Sequence, residues 1–249
     1  MVEMYQEEVE GIQLVHAVPS GQYHTLLPTI FFYHGFLSSK EIYSYFGYTL
    51  AKAGYRVILP DAQLHGARAD GDEPKRLASF WRILQSNVDE LELLKESFVA
   101  RGLADGERLA VAGVSMGGMT TLASLVRFPW VKVAACLMGS GYFSTLSATL
   151  YPNYQQEDAE QLEAFRQHHA PLLSWDVSDK VAQIADRPLF IWHGEQDDVV
   201  PFADSLRLRQ EIIASGHGSN LTFVAEPAAT HKVSVFALNE TLAFFERQL

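Results

Sequence analysis

Cysteine is almost missing from this chain. Cys136 is the one thiol, so no internal disulfide can form. It sits in the apolar run Val133 to Met138 and reads as a small buried hydrophobe. No two of the nine histidines have H-x-x-x-H spacing, so neither pattern expected of a zinc site is present and no cofactor is expected. No G-x-x-x-x-G-K run offers a phosphate cradle. Positive charge is also scarce: 19 Lys and Arg stand against 30 Asp and Glu, a formal net charge of −11. Nucleic acid and anionic membrane surfaces need clustered cations, so neither is expected as a partner. No apolar run approaches the ~18 residues of a membrane span. Met1 to Glu10 holds four glutamates and no basic residue, whereas a secretory signal opens on positive charge followed by an apolar stretch. The cytoplasm is the expected compartment, with no membrane insertion and a monomer or homodimer as the expected state.

What is present is an alternation of short apolar runs with helical patterns. That alternation implies a mostly parallel sheet with helices on both faces, an α/β class. Thr29 to Tyr33 is the first clear buried strand, followed by a helix over Ile42 to Ala53 that Gly54 ends. Tyr55 to Leu59 forms the next strand, stopped by Pro60. Leu77, Phe80, Leu84, Val88, Leu91, Leu94 and Phe98 recur at steps of three and four, one stripe of a long helix. Strands are expected at Arg108 to Ala112, Val131 to Met138, Pro188 to Trp192 and Asn220 to Ala225. The last helix shows Val235, Leu238, Leu242 and Phe245 on one face. Residues 139–187 break the rhythm: they are polar, with an amphipathic helix near Glu157 to His168, and read as an insertion covering a site. With 249 residues and no linker or repeat, one domain spanning 1–249 is expected.

Gly113-Val114-Ser115-Met116-Gly117 is a G-x-S-x-G run lying between an expected strand and an expected helix. Such a turn must expose the serine on strained backbone, and its neighbours two positions away must lack a Cβ. The helix starting beside Ser115 points its free N–H groups at any negative charge developing there.

Three motifs together resemble the α/β-hydrolase superfamily along nearly the whole chain: His34-Gly35-Phe36, the run around Ser115, and His193-Gly194-Glu195-Gln196-Asp197-Asp198-Val199-Val200-Pro201. The likeness is nearest to small bacterial carboxylesterases on the acetyl-esterase, dienelactone-hydrolase and prolyl-oligopeptidase side. That resemblance implies an α/β-hydrolase fold with a modest insertion over the active site. It implies a catalytic triad in the chain order Ser115, Asp197, His231, with Asp198 as the rival acid. It also implies an oxyanion hole from the backbone N–H groups of Phe36 and Met116. His34 and His193 each precede a glycine of a motif and are expected to fix loops. His65, in Asp61 to Gly66, resembles a structural loop that could also touch substrate. Phe36, Tyr142, Phe143 and Trp175 are candidate lining for an acyl pocket.

Serine at the nucleophile position favours acyl transfer over the chemistry of relatives that carry Cys or Asp there. The expected substrate is a small-molecule ester, and the modest insertion suits short acyl chains. A sugar O-deacetylase or a thioesterase would use the same triad, and an inactive ligand-binding relative is the reading from another class. A histidine base must be neutral, so kcat/KM is expected to fall below about pH 6.5.

Overall fold

A computed structural model describes residues 1–152 and 158–249. The chain opens with β1 (Val2–Val9) and β2 (Ile12–Pro19), an antiparallel hairpin turned by Glu10 and Gly11, both at positive φ. This two-residue turn matches the strand twist. The mostly exposed or half-buried side chains along β1 explain why an apolar-run reading passes over it. Then follow β3 (Leu27–Tyr33), α1 (Ser44–Lys52), β4 (Arg56–Pro60), α2 (Glu73–Ala78), α3 (Phe80–Ala100), β5 (Ala104–Val114), α4 (Met116–Arg127) and β6 (Val133–Leu137). The expected insertion lies between β6 and β7 and carries α5 (Phe143–Leu146), α6 (Ala159–His168), α7 (Ala170–Ser174) and α8 (Val181–Ile184). Glu157, the expected start of the amphipathic helix, lies outside the described residues. β7 (Leu189–Gly194), α9 (Phe202–Ala214), β8 (Leu221–Glu226) and α10 (Val235–Gln248) complete the chain.

Among the described residues eight strands form one sheet in the order β1-β2-β4-β3-β5-β6-β7-β8. β2 pairs antiparallel with β1 and β4, and every later pairing is parallel. Alternate residues of each inner strand enter opposite cores, as the two-residue period of a strand requires. Phe31, Ile58, Leu109, Val111 and Ile191 face the side covered by α3, α4 and α9. Ile30, Phe32, Val57, Ala110, Val114 and Trp192 face α1 and α10. Helices therefore bury both faces of the parallel region, which explains its continuous apolar runs.

Two expected stripes shift. Leu77 is 37% exposed, because the helix is broken at Ser79 and Leu77 belongs to the short α2 capped by Asp72. On α10 the buried residues are Ala237, Thr241, Phe244 and Phe245, while Val235 is 75% exposed. Ser234 caps this helix, its Oγ accepting the Ala237 N–H, and that start rotates the stripe by about one residue, leaving Leu238 and Leu242 at its edge. Among the described residues no helix is long and apolar enough to cross a membrane.

Candidate active site

β5 ends at Val114 and α4 begins at Met116, so Ser115 alone makes the turn, at φ 57°. That region is costly for a residue with a Cβ. Two glycines permit it: a Cβ on Gly113 would collide with the backbone of Gly117, and one on Gly117 with the carbonyl of Tyr33. The Ser115 N–H donates to the Leu137 carbonyl at 2.9 Å, pinning the elbow to β6.

The strand ends beside it supply the other two groups. His231 follows β8, and its Nε2 lies 2.8 Å from Ser115 Oγ. Its Nδ1 lies 2.7 Å from Asp197 Oδ2, in the loop after β7. A carboxylate can only accept, so the proton sits on Nδ1 and Nε2 is free to take the serine proton. Asp197 Oδ1 accepts the N–H groups of Val199 and Val200, both at 2.9 Å. Oδ2 also meets His193 Nε2 at 3.1 Å. Burial pushes the Asp197 carboxyl up, but the bonds from His193, His231, Val199 and Val200 outweigh it and hold the group well below the usual carboxylate range. Asp198, the rival acid, is exposed and makes none of these bonds among the described residues. A Cβ on Gly194 would strike the Ala229 carbonyl, so its bareness lets the acid loop and the His231 loop touch; the Gln196 N–H donates to that carbonyl at 3.0 Å.

The loop after β3 brings Phe36 to the elbow. The site where a Gly35 Cβ would stand is 3.5 Å from Ser115 Cβ. Three cross-bonds to the Asp61–Arg68 segment hold this loop. The Ala62 N–H donates to His34 Nε2, the Leu37 N–H to His65 Nε2 and the Lys40 N–H to Asp61 Oδ1, each at 3.0 Å. A buried ion pair, Lys40 Nζ to Asp61 Oδ2 at 2.5 Å, adds a fourth link. The N–H groups of Phe36 and Met116 donate in none of the hydrogen bonds among the described residues, and Met116 opens a helix whose first N–H groups have no internal acceptor.

The expected pocket residues fare unevenly. Phe36 is half-buried, its ring against Phe80, Tyr151 and His65 at 5.0, 4.8 and 5.1 Å. His65 does not line a pocket: it is fully buried, and its ring bonds to the Gln63 carbonyl and the Leu37 N–H, so it is a brace of the Phe36 loop. Tyr142 is 1% exposed with its hydroxyl on Glu211, and Phe143 is 0% exposed beside Trp81. Neither presents surface to a ligand. Trp175 is also buried, under the Arg127 guanidinium at 4.7 Å. Tyr151 and Phe80, which sequence reasoning missed, are the rings that do meet Phe36; they stack at 4.8 Å. Their aromaticity was visible, but nothing in the spacing joined them to residue 36. A cavity of about 550 Å³ lies among the insertion helices, lined by Ser147, Leu162, Phe165, Arg166 and Leu173 among others; it includes none of Ser115, Asp197 and His231.

Residues 47–249 match the model of the prolyl oligopeptidase family. The chain belongs to that family. Esterase YjfP of Escherichia coli (strain K12) is 43% identical over 249 residues, covering all of both chains. Among solved structures, TT1662 from Thermus thermophilus superposes with a TM-score of 0.78 at 21% identity, covering 99% of this chain and 98% of the other. The acylaminoacyl peptidase of Pyrococcus horikoshii gives 0.73 at 18% identity, with all of this chain on 42% of that one. The fold is thus the α/β-hydrolase fold of the family, and the resemblance drawn from the three motifs holds across the whole length.

Proposed function

We propose that this chain is a carboxylesterase that hydrolyses short-chain acyl esters of small molecules, with Ser115 as nucleophile, His231 as base and Asp197 as the group that orients it. The single observation behind this reading is the 2.8 Å contact of His231 Nε2 with Ser115 Oγ, backed by the 2.7 Å contact to Asp197. Ser115 Oγ attacks the ester carbonyl as its proton passes to His231. The N–H groups of Phe36 and Met116 receive the oxyanion; each such donor is worth about 3 kcal/mol of barrier. His231 then protonates the departing alkoxide, and water activated by the same nitrogen releases the acid. Residues 139–187 act as a cap on a single domain. The half-buried rings of Phe36 and Tyr151, backed by the buried Phe80, give the acyl side an aromatic wall close to the elbow, which favours short chains. The 43% identity to an esterase over full length supports ester rather than peptide cleavage.

The experiment is hydrolysis of p-nitrophenyl esters from acetyl to decanoyl by wild type and Ser115→Ala. Turnover should favour acetyl to butyryl and fall about 10⁶-fold in Ser115→Ala. Faster turnover of decanoyl than of butyryl esters would reject the short-chain assignment.

A further inference from the structure

His193 is fully buried at the end of β7 and belongs to no step described above. Its Nε2 lies 3.1 Å from Asp197 Oδ2 and 3.1 Å from the Val200 carbonyl. Both are acceptors, so this nitrogen carries a proton and shares it between them. Its Nδ1 lies 2.7 Å from Ser205 Oγ on α9, whose hydroxyl can donate to it; the other acceptor in reach of that hydroxyl, the Gly139 carbonyl, is farther away at 3.5 Å. The ring is thereby held from both sides in one tautomer. Asp197 then receives four donors: Val199 and Val200 on Oδ1, His231 and His193 on Oδ2.

We infer that His193 is a positioning residue of the reaction, a second histidine that fixes the Asp197 carboxylate and draws its charge away from His231. The inference rests on the proposed triad. Two effects follow from one bond. The carboxylate cannot rotate, so His231 stays aimed at Ser115. Oδ2 shares its charge between two rings, so it stabilises the His231 imidazolium less than an acid bonded to one ring would. On the elements packed against β7, Asp204 of α9 accepts from Ser140 Oγ, and Glu226 of β8 from Trp192 and Ser234; Glu195 and Asp198 of the same loop are exposed.

The test compares wild type, His193→Phe and His193→Gln. Gln can place its side-chain N–H near the position of Nε2, and Phe cannot. Activity is normalised to sites titrated with a fluorophosphonate, so unfolded protein does not count. His193→Phe should lose about tenfold in kcat with KM little changed, the scale of a bond to a charged group. Its acidic limb of kcat/KM should move to higher pH, while His193→Gln should restore the wild-type limb. A limb unmoved in His193→Phe at full per-site kcat would overturn the inference. Histidine ¹⁵N NMR of the wild type provides a reading that needs no folded Phe variant. His193 should appear as the Nε2–H tautomer throughout the titration of His231, and an Nδ1–H tautomer would overturn the inference. A wild type that neither hydrolyses esters nor takes the label would sink the proposed function instead, and the tautomer would still report on the bond.

Discussion

Gly117 shows how narrowly single atoms decide this site. The position where its Cβ would stand is taken by the Tyr33 carbonyl, and backbone of a central strand cannot swing aside as a flexible side chain would. Gly117→Ala must therefore push the first turn of α4 away from β3. The expected result is a loss of about 1–3 kcal/mol of stability, with fluorophosphonate labelling of the remaining folded protein slowed at least tenfold because Ser115 and Met116 ride on that turn. Thermal melts together with labelling rates check it; wild-type labelling would show that the elbow tolerates the methyl group. This geometry was readable from sequence, since G-x-S-x-G between strand and helix states both the strain and its remedy. Asp197 and His231 were likewise readable, as each follows the end of a strand in the order the motifs imply. His65 was not. A histidine beside a glycine in a polar loop looks the same whether it faces a ligand or, as here, accepts the Leu37 N–H under full burial.

At the scale of an element, the loop carrying Phe36 has no regular structure of its own and depends on the Asp61–Arg68 segment. Asp61 is the centre of that dependence: it is fully buried and accepts from the Lys40 N–H and Nζ and from the Ala67 N–H. Gly66 lies against the Asp61 carboxylate too closely for any Cβ. Asp61→Asn preserves the shape but leaves the buried Lys40 ammonium with only Glu41, whose side chain is half exposed. A buried ion pair broken on one side costs up to 3–5 kcal/mol, and the remaining Glu41 contact reduces that to about 2–3 kcal/mol here. Denaturant unfolding should show this loss. kcat/KM should fall with it, because under the proposed mechanism the loop presents the Phe36 N–H to the oxyanion and the Phe36 ring to the acyl group. An unchanged midpoint would mean that the pair contributes nothing. Sequence alone could not reveal this pairing. Lys40 and Asp61 are 21 residues apart and belong to no shared pattern, so only the packing of the β3 and β4 strand ends brings them together. The same limit explains the shifted stripe of α10, where periodicity finds a helix but the Ser234 cap sets which face turns inward.

For the whole molecule, acid should act first through histidines buried without charge. His16 on β2, His34 after β3 and His169 between α6 and α7 are all at most 2% exposed. Burial is the chief cause holding each at about 4, reinforced by Arg56 beside His16, His65 beside His34 and His168 beside His169. An unfolded histidine binds its proton near pH 6.5. Between that value and about pH 4 the unfolded chain therefore holds protons that the folded chain refuses, and folding stability falls as pH falls. Below about pH 4 Asp197 continues the trend, since its depressed carboxyl favours the fold only while ionised. The three histidines belong to the hairpin side of the sheet, the Phe36 loop and the insertion, so no single region can unfold to relieve them all. Melting temperature should be level from pH 8 to 7 and should drop steadily from pH 6.5 to 4.5. His16→Phe would not mimic neutral imidazole, because His16 also bonds Glu7 at 2.9 Å and contacts Arg56. His169 is the better probe. Its Nδ1 is buried and has no hydrogen-bond partner among the described residues, so His169→Leu removes an unpaired polar atom and a proton the fold cannot accept. That variant should melt no lower than wild type at pH 7.5 and higher than wild type at pH 5. A pH-independent difference between the two proteins would show that His169 titrates alike in both states.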